Sequence, residues 1–549
     1  MVYIRRRTPF RLLVLFLLLV TLISGCAGKT EHPELSVSEA NRFVDFQVLA
    51  FNDFHGSLEA RDGELGGAAY LASHLLAAEA SAEFSITVSA GDLVGASPLI
   101  SSLFHDEPSV EAANIWGLDY HAMGNHELDE GLKEMLRLQR GGGHPKDNDA
   151  DGVVFAGANF GFLSANMFLA KDKSQPLPGY AIKEFDGIPI AIIGASLVDT
   201  LSVISLEAGR GLMFQKEAEA INRLVDKLRG EGVEAFIVLI HQGGSQNDKS
   251  PGGCANFSGD IIEVVNEISP AVDLFVTGHT HNYYLCELGD RPVTSAGANG
   301  RLYSKIQMRL DRLSGDMQLL TMENVPVTHD VVPNAELERL VEKYRAYVKP
   351  LAEKPVGIID ASFSRTPNQA GESLLGQLTA DAQLEATKES GAQIAFMNHG
   401  GIRNDMDYRG NGTVTFEDIF AIHPFNNMLV SMTLTGEQLR LLLEQQWQST
   451  NSVRILGVSK GFSYTWNASA SQGQKVAAHS MYLDGVEIDP LGEYRITTNS
   501  FIAGGGDGFT VLREAKNPVR GIEDLEALKR YLEVHSPLTP DYQPRINRR

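Results

Sequence analysis

Residues 46–56 read FQVLAFNDFHG, in which a short apolar run typical of a buried strand leads directly into Asp53 and His55. Four later apolar runs of strand length end in comparable polar signatures. These are residues 84–89 before Gly91-Asp92, 120–123 before Gly124-Asn125-His126-Glu127, 235–240 before His241, and 273–277 before Gly278-His279-Thr280-His281. Helix-like segments separate the strands at residues 68–80, 110–116, 217–229 and 261–268. Strands that alternate with helices predict α/β organisation.

The polar residues after these strands are candidate metal ligands, because ligand sites of α/β sheets lie beyond the carboxyl ends of the strands. One Asp or His there is usually a turn residue or helix cap, but five signatures in order favour a shared site. The candidates are Asp53, His55, Asp92, Asn125, His241, His279 and His281. Imidazole and oxygen donors without thiolate suit Zn, Mn, Fe, Co or Ni rather than calcium. Seven donors exceed the needs of one ion, so we expect two divalent metal ions that share a carboxylate.

The ordered series D-F-H-G, G-D, G-N-H-E, H and G-H-T-H resembles the calcineurin-like metallophosphoesterases. The C-terminal half resembles the bacterial 5′-nucleotidase and UDP-sugar hydrolase branch, and the resemblance spans residues from about 45 to 535. It implies that one metal is held by Asp53, His55, Asp92 and His281, and the other by Asp92, Asn125, His241 and His279. Asp92 would then bridge the ions. Several periplasmic members carry Gln where His281 stands here.

The same resemblance implies a catalytic dyad formed by His126 and Asp129. His126 would stabilise the transition state or protonate the leaving alkoxide, while Asp129 fixes the imidazole tautomer. The alternative from local sequence alone is that Asp129 merely favours a helix N-terminus.

The chain divides into an N-terminal and a C-terminal unit joined by a charged, amphipathic helix at residues 334–351, between Pro333 and Pro355. The resemblance implies a metallophosphoesterase α/β sandwich at residues 45–330, a helical linker at 331–355, and a mixed α/β 5′-nucleotidase substrate-binding domain at 356–540. Within that second domain the sequence predicts helices at 374–388 and 436–447 and a strand at 394–397.

Three signatures of the second domain mark a candidate nucleotide site: NHGGIR at residues 398–403, HPFNN at 423–427 and FIAGGGDGF at 501–509. Most phenylalanines are core residues, yet Phe425 and Phe501 stand beside polar loops. The resemblance implies that these two rings sandwich the base, that Asp507 contacts the ribose hydroxyls, and that Asn398 and Arg403 hold the nucleotide. The guanidinium of Arg403 suits phosphate because it donates two parallel hydrogen bonds.

One arginine of the resembling family has no counterpart in this chain. An additional substrate-binding arginine is expected near the helix start at residues 372–376, but Gln369 stands at the aligned position and Arg365 is the nearest arginine. The role of Arg365 is therefore left open.

The N-terminus predicts export. Arginines at positions 5–7 and 11 precede an apolar run at residues 12–23, which is shorter than the ~20 residues of a membrane-spanning helix. The following ISGC tetrapeptide resembles a bacterial lipobox, so residues 1–25 are predicted to be a signal peptide, Cys26 the lipidated residue and residues 26–44 a tether. This implies anchoring to a bacterial membrane, at the outer membrane or cell surface in a Gram-negative host. For an exported chain we expect a disulfide between Cys254 and Cys286, with two buried thiols as the alternative.

The net charge of the chain excludes one class of partner. With 47 Lys and Arg against 69 Asp and Glu among 549 residues, the net charge is −22, which argues against a nucleic-acid partner. The leading hypothesis is release of phosphate from nucleoside 5′-monophosphates by metal-activated water. UDP-sugar pyrophosphate hydrolysis and 2′,3′-cyclic nucleotide phosphodiester cleavage are the enzymatic alternatives. A catalytically inactive nucleotide-binding surface protein is the alternative outside enzymes, and the complete ligand set and dyad argue against it. The oligomeric state stays open.

Overall fold

The computed structural model describes residues 42–60, 65–145, 153–248, 250–448 and 453–549. The predicted signal peptide, Cys26 and most of the predicted tether lie outside the described residues. Among the described residues, no helix combines the length and the apolar character needed to cross a bilayer.

The N-terminal half alternates strands and helices as the sequence predicts. Its strands are β1 (Phe43–Phe51), β2 (Ser85–Ser89), β3 (Tyr120–Ala122), β4 (Gly161–Leu163), β5 (Met167–Leu169), β6 (Tyr180–Phe185), β7 (Ile188–Ser196), β8 (Leu212–Phe214), β9 (Ala235–His241), β10 (Leu274–Thr277), β11 (Tyr283–Leu288), β12 (Arg291–Ala296), β13 (Leu302–Asp311) and β14 (Met317–Pro326). Its helices are α1 (Ala68–Glu79), α2 (Leu99–Ser102), α3 (Glu107–Ile115), α4 (Leu132–Arg140), α5 (Thr200–Val203), α6 (Glu217–Gly230) and α7 (Ile261–Glu267).

The five predicted strands are confirmed as β1, β2, β3, β9 and β10, but they belong to two sheets. The first sheet has the order β14-β13-β1-β2-β3-β4 and the second β11-β12-β10-β9-β7-β6. β1 to β4 run parallel, as do β7, β9 and β10. Buried side chains such as Phe46 and Val88 from the first sheet and Ile190 and Leu239 from the second form one shared core. The N-terminal domain is therefore an α/β sandwich, as the family resemblance implies.

Helix α6 illustrates why the outer helices form where they do. Ala218, Ile221, Val225 and Leu228 recur at helical spacing and are all buried. The first turn is acidic and the last turn basic, which complements the helix dipole. The apolar face of α6 therefore covers the second sheet, with residues of both in one cluster.

The C-terminal domain is a second mixed α/β unit. Its strands are β15 (Pro355–Ile358), β16 (Ile394–Asn398), β17 (Thr413–Thr415), β18 (Met428–Thr435), β19 (Leu456–Val458), β20 (Phe462–Trp466), β21 (Val476–Leu483), β22 (Val486–Glu487), β23 (Glu493–Asn499), β24 (Lys516–Glu523) and β25 (Ile546–Arg548). The helices from the connector onward are α8 (Ala335–Ala352), α9 (Leu374–Ala386), α10 (Phe416–Ile422), α11 (Gly436–Glu444), α12 (Ser500–Ala503) and α13 (Asp524–His535). A five-stranded sheet, β19-β16-β23-β18-β24, carries the loops that face the N-terminal domain.

The helix predicted at residues 334–351 is confirmed as α8. The side chain of Asn334 caps it by accepting hydrogen bonds from the backbone N–H of Glu336 (3.0 Å) and Leu337 (3.1 Å). The helix is embedded rather than free, because Tyr344 is buried and its ring lies 4.7 Å from that of Phe104. One continuous hydrophobic cluster includes residues of α1, α3, α8, α9 and α13. The two domains are thus packed together along this helix.

The predicted disulfide between Cys254 and Cys286 is present, with a Cα–Cα distance of 5.3 Å. It ties the loop that follows β9 to β11. The alternative of two buried thiols is therefore wrong.

Candidate active site

Every predicted metal ligand lies at or just after the carboxyl end of a strand. Asp53 and His55 follow β1, Asp92 follows β2, Asn125 follows β3, His241 ends β9, and His279 and His281 follow β10. Five of the seven have positive φ: Asp53 (50°), His55 (48°), Asp92 (53°), His279 (72°) and His281 (55°). Such backbone costs of order 1 kcal/mol or more per non-glycine residue and persists only where the surroundings impose it. The surrounding fold therefore holds these residues in a strained backbone conformation that directs their side chains to one place.

Two glycines make room for this convergence. A Cβ on Gly124 would lie 2.2 Å from the Asp92 carboxylate, and a Cβ on Gly91 would lie 2.3 Å from the His241 ring. Neither clash can be relieved without moving a predicted ligand. Both positions therefore exclude any larger residue.

Asp53, His55 and His281 form one tight group. The Nε2 atoms of His55 and His281 are 3.0 Å apart, and His281 Nε2 lies 3.4 Å from Asp53 Oδ1. Asp53 is fully buried, and its carboxylate accepts hydrogen bonds from the Asn52 side chain (2.6 Å) and the backbone N–H of His279. The three ligand atoms lie within 4.8 Å of one another, a spacing that one cation can bridge.

Asp92, Asn125, His241 and His279 form the second group. His241 Nε2 is 3.0 Å from Asp92 Oδ2 and 3.2 Å from Asn125 Oδ1, which in turn is 3.0 Å from His279 Nδ1. Asp92 Oδ2 also lies 3.7 Å from His55 Nε2 of the first group. Asp92 is thus the carboxylate between the two groups, where the predicted bridge belongs.

Two imidazoles are oriented by backbone carbonyls. His55 Nδ1 lies 2.8 Å from the carbonyl of Gly95, and His241 Nδ1 lies 2.8 Å from that of Ala90. A carbonyl can only accept, so each Nδ1 carries a proton, and in the neutral ring Nε2 would present a lone pair to the centre of the site. This is the tautomer that a metal ligand needs.

The electrostatics of the site also suit cations. Burial lowers the pKa of His55 and His281 far below the ordinary imidazole value and that of His279 to about 3, so these rings are neutral near pH 7. At His241 burial acts in the same direction, but the adjacent Asp92 carboxylate outweighs it and raises the pKa to about 10. His241 therefore holds a second proton on Nε2 beside Asp92, at a position where a metal ion would replace it. The donor set, its tautomers and its charge all fit two divalent ions, and the assignment of ligands to each ion stays a prediction.

The predicted dyad is assembled next to this centre. His126 Nδ1 and Asp129 Oδ2 are 2.8 Å apart, and the backbone N–H of His126 donates to Asp92 Oδ1 at 2.9 Å. Burial disfavours protonation of His126, but the charges of Asp129 and Asp92 outweigh it and raise its pKa. Because Nδ1 is engaged by Asp129, Nε2 is the ring nitrogen left for a substrate. The catalytic role of the pair stays a prediction.

Glu127 is an organising residue that motif reasoning did not single out. Its buried carboxylate accepts hydrogen bonds from the backbone N–H of Gly124 (2.7 Å), Leu93 (2.8 Å) and Asp92 (3.1 Å). His121 Nε2 lies 3.1 Å from the same carboxylate. Glu127 thus joins the loops after β2 and β3. The only signal in the sequence was its place in the signature at residues 124–127, where a glutamate usually indicates a helix start.

All five predicted substrate-binding residues line a cleft of about 450 Å³ that also contains the dyad. They are Asn398, Arg403, Phe425, Phe501 and Asp507. The Phe425 ring lies nearly parallel to that of His126, with centroids 5.9 Å apart, and the Arg403 guanidinium lies 5.9 Å from the centroid of Phe425. The C-terminal domain therefore reaches the candidate catalytic centre with an aromatic ring and a cation.

A polar network holds Asp507 at the far side of the cleft. Asn398 Nδ2 donates to Asp507 Oδ2 at 2.9 Å, and Asn499 Nδ2 donates to Asn398 Oδ1 at 2.8 Å. Arg454, which the sequence did not indicate, lies 3.7 Å from the other oxygen of Asp507. Asp507 is thus fixed with a positive φ of 56°.

Arg365 lies in an arginine-rich cavity of about 350 Å³ on the other side of the first ligand group. Its guanidinium donates to the backbone carbonyl of Arg403 at 2.8 Å, and Arg301, Arg403 and Arg409 line the same cavity with His281. Burial, followed by the charge of Arg403, lowers the pKa of Arg365. Asp405 and Asp407 line the cavity too, and Arg409 lies 3.4 Å from Asp407, but the guanidinium groups outnumber the carboxylates and suit an anion.

Comparisons with known proteins agree with this architecture. The calcineurin-like phosphoesterase family model matches residues 46–283, and the model for the 5′-nucleotidase C-terminal domain matches residues 351–514. The 5′-nucleotidase precursor from Thermus thermophilus shares the fold, with a TM-score of 0.76 and 23% identity over 92% of this chain and 99% of that one.

Two relatives are similar along most of the chain. Cell wall protein Lmo0130 of Listeria monocytogenes is 30% identical over 534 residues, which cover 89% of this chain and 67% of that protein. Endonuclease YhcR of Bacillus subtilis is 29% identical over 506 residues, which cover 89% of this chain but 40% of that protein. The chain therefore spans less than half the length of YhcR.

Proposed function

Because the chain belongs to the calcineurin-like phosphoesterase family and carries a 5′-nucleotidase C-terminal domain, we propose that it hydrolyses nucleoside 5′-monophosphates. The observation that carries the proposal is the contact between the two domains. Phe425, a candidate base-stacking ring, lies 5.9 Å from His126, the candidate catalytic imidazole. A nucleotide with its base on the C-terminal domain would thus place its phosphate at the strand ends.

The family uses a dinuclear divalent metal centre, and the two ligand groups described above would hold it here. Two such ions supply a water of lowered pKa and neutralise charge on the phosphoryl group. Asp53 and Asp92 contribute the carboxylates, and the hydrogen bonds that they accept from the chain keep both in position. The mixed donor set leaves the choice among Zn, Mn, Co, Fe and Ni open.

His126 is the proposed proton donor to the departing ribose oxygen. The carboxylate of Asp129 stabilises the protonated ring and fixes Nδ1, so the proton on Nε2 faces the cleft. Arg403 lies close enough to the centre that Asp92 and Asp129 influence its pKa, and burial is the main cause that lowers it. We assign Arg403 to the phosphate. We assign Arg365 to the role of the arginine that the family carries near residues 372–376 and that this chain lacks there.

Asp507 is the proposed ribose contact, and Phe425 and Phe501 the base clamp. A carboxylate can accept hydrogen bonds from both ribose hydroxyls, and its bond from Asn398 keeps it oriented. The cleft volume of about 450 Å³ matches a ligand of nucleotide size.

A second candidate, UDP-sugar hydrolysis, is favoured by the arginine-rich cavity beside His281. Arg301, Arg365 and Arg403 there could hold a second phosphate beyond the metal centre, whereas Arg409 is paired with Asp407. A nucleoside diphosphate sugar would use both cavities, whereas a monophosphate needs one.

A substrate panel with a clamp variant tests these assignments. Phosphate release is measured from AMP, UMP, UDP-glucose, 2′,3′-cyclic AMP and phenyl phosphate, with single-stranded DNA as the nuclease control. In the Phe425→Ala/Phe501→Ala variant we expect KM for AMP to rise at least 10-fold, since each stacking contact is worth about 1–3 kcal/mol. Hydrolysis of phenyl phosphate, which has no base, should change little.

Phe416→Ala is the matched control, because Phe416 is half-buried at the start of α10 and does not line the cleft. It should leave both activities near the wild-type value. Equal loss of AMP and phenyl phosphate hydrolysis in the clamp variant would refute the clamp. DNA cleavage without nucleotide hydrolysis would refute the proposed function.

An extracytoplasmic location is supported by the relative named as a cell wall protein and by the disulfide between Cys254 and Cys286. Lipid attachment at Cys26 is our proposal beyond that, motivated by the lipobox after the apolar run. Attachment there would tether the enzyme to a bacterial membrane.

A further inference from the structure

A second group of metal-binding side chains lies on the wall of the same cleft, outside the centre described above. His105, Glu130 and His144, here called the His105 cluster, bring their ligand atoms within 4.8 Å of one another. His105 and Glu130 line the cleft, and Glu130 directly follows Asp129 of the dyad. None of the three is used by the proposed reaction.

The geometry of the His105 cluster is compact. His105 Nδ1 lies 2.9 Å from Glu130 Oε1, and His144 Nε2 lies 3.8 Å from Glu130 Oε2. The two imidazole rings are stacked with centroids 3.4 Å apart and an angle of 20° between their planes, so one ring must rotate out of the stack for both in-plane lone pairs to meet at one ion. His144 is 6% exposed and His105 is 17% exposed, so both rings are largely withdrawn from solvent.

Three separate elements bring these side chains together. His105 lies in the turn between α2 and α3, Glu130 lies just before α4, and His144 follows α4 after three glycines. The side chains therefore converge through the fold and not through a local sequence motif. Burial is the main cause that lowers the pKa of His144, so its ring is neutral near pH 7 and has a lone pair to donate.

The turn that carries His105 is braced against the main centre. His105 and Asp106 both have positive φ, 51° and 62°, as do five of the predicted ligands. The half-buried Asp106 carboxylate accepts hydrogen bonds from Ser101 Oγ (2.6 Å) and from the backbone N–H of Gly95 (2.9 Å). The carbonyl of Gly95 is the group that orients His55. The turn that carries His105 is therefore linked through Gly95 to the loop that orients His55.

We propose that His105, Glu130 and His144 form a third divalent-metal site, distinct from the dinuclear centre and of zinc type. Two imidazoles and one carboxylate are a ligand set that zinc takes with three protein donors. Nitrogen donors at both His positions disfavour calcium and magnesium, which prefer oxygen shells. Zinc in such a three-donor site takes a fourth ligand, such as water or an anionic oxygen.

Glu134 is a neighbour of this site rather than a donor. Its Oε2 lies 3.8 Å from His144 Nε2, but Arg137 donates to both carboxylate oxygens at 2.9 and 3.0 Å. An ion held by Glu130 would fix the residue next to Asp129. The expected consequence is a more rigid dyad loop.

The number of zinc ions bound per chain distinguishes a metal site at the His105 cluster from two imidazoles that are only stacked and hydrogen-bonded. The purified full chain is stripped with a chelator, reloaded with zinc in the presence of excess magnesium, dialysed to equilibrium and analysed for metal content. We expect three zinc ions per wild-type chain and two in His144→Ala and in His105→Ala. Circular dichroism verifies that each variant is folded.

His479→Ala is the matched control. His479 also pairs with a carboxylate, that of Glu487, but it is 82% exposed and belongs to no group of converging ligands among the described residues. This variant should retain three zinc ions. Glu130→Gln, which preserves the shape of the side chain, should weaken binding of the third ion at least 10-fold and serves if a histidine variant fails to fold.

Cobalt(II) provides a second readout. The third equivalent should add the visible absorption of a tetrahedral site in the wild type and not in His144→Ala. A wild-type chain that binds only two zinc ions, or a folded His144→Ala or Glu130→Gln variant that binds the third as tightly as the wild type, would overturn the proposal. The test measures the difference in bound zinc between the wild type and the variants. Its result is therefore independent of whether the chain hydrolyses nucleotides.

Discussion

Replacing Glu127 with Gln should disable the metal centre without touching any predicted ligand. The carboxylate accepts three short backbone N–H bonds, two on Oε2 from Gly124 and Asp92 and one on Oε1 from Leu93, and a longer one on Oε1 from Val94 (3.4 Å). A carboxamide retains one acceptor oxygen. Whichever way it turns, its NH₂ group faces at least one backbone donor that is then left without an acceptor.

The magnitude follows from these contacts. If the retained oxygen serves Gly124 and Asp92, one charge-assisted bond is lost at about 1.5–3 kcal/mol and two are weakened by about 1 kcal/mol each. The total is roughly 3–5 kcal/mol, concentrated in the loops after β2 and β3. Metal affinity and kcat/KM should each fall about 10–100-fold, the usual range for a residue that supports metal ligands.

The assay combines metal content, phosphate release from phenyl phosphate and thermal unfolding of Glu127→Gln. Glu217→Gln is the control, because Glu217 is also buried and accepts a backbone hydrogen bond, from Val198 at 2.7 Å, but lies outside the cleft lining. It should lose stability and keep its metals. If Glu127→Gln binds two metals as tightly as the wild type and keeps its turnover, the supporting role of Glu127 is wrong.

Two further perturbations address pH and localisation. Burial, and next the charge of Asp316, raise the pKa of Asp273 to about 8, even though Phe236 N–H donates to it. The folded state therefore keeps a proton that the unfolded chain releases near pH 4, so stability falls as pH rises toward 8. Asp273→Asn should remove that decline. At pH 8.5 its thermal midpoint should exceed that of the wild type by an amount worth about 1–2 kcal/mol of unfolding free energy. A difference between variant and wild-type midpoints that is the same at pH 6 and pH 8.5 would contradict this. Cys26→Ser should abolish lipid attachment, which mass spectrometry of the mature N-terminus detects, and a wild-type N-terminus at another residue would exclude the lipobox assignment.

The strands that carry the site could be predicted because each couples an apolar run to a polar ending. The run at residues 46–51 became the core of β1, and the helix predicted at residues 68–80 became α1. Which strands pair is not encoded in such runs. The division of the five strands between two sheets therefore emerged only from the structure.

The parts of the site that escaped prediction depend on long-range contacts. Glu127 accepts hydrogen bonds from backbone groups of another loop. Arg454 lies close to Asp507, which is 53 residues further along the chain. His105 and His144 follow no ligand spacing because separate elements bring them together. A sequence pattern reveals residues that act where their own strand ends, and it is silent on residues that act on other loops.

The candidate ligands are divided between the two sheets, so the metal centre is complete only after the two sheets have packed together. Asp53, His55, Asp92 and Asn125 come from the first sheet, and His241, His279 and His281 come from the second. A chain in which the sheets have not docked offers only a partial ligand set, so ions bind chiefly to the finished sandwich. Ions at 100 times their Kd would add about 2.7 kcal/mol per site to docking. Hydrolytic activity and completed folding would then arise in the same step, and a half-assembled chain would have no reactive centre.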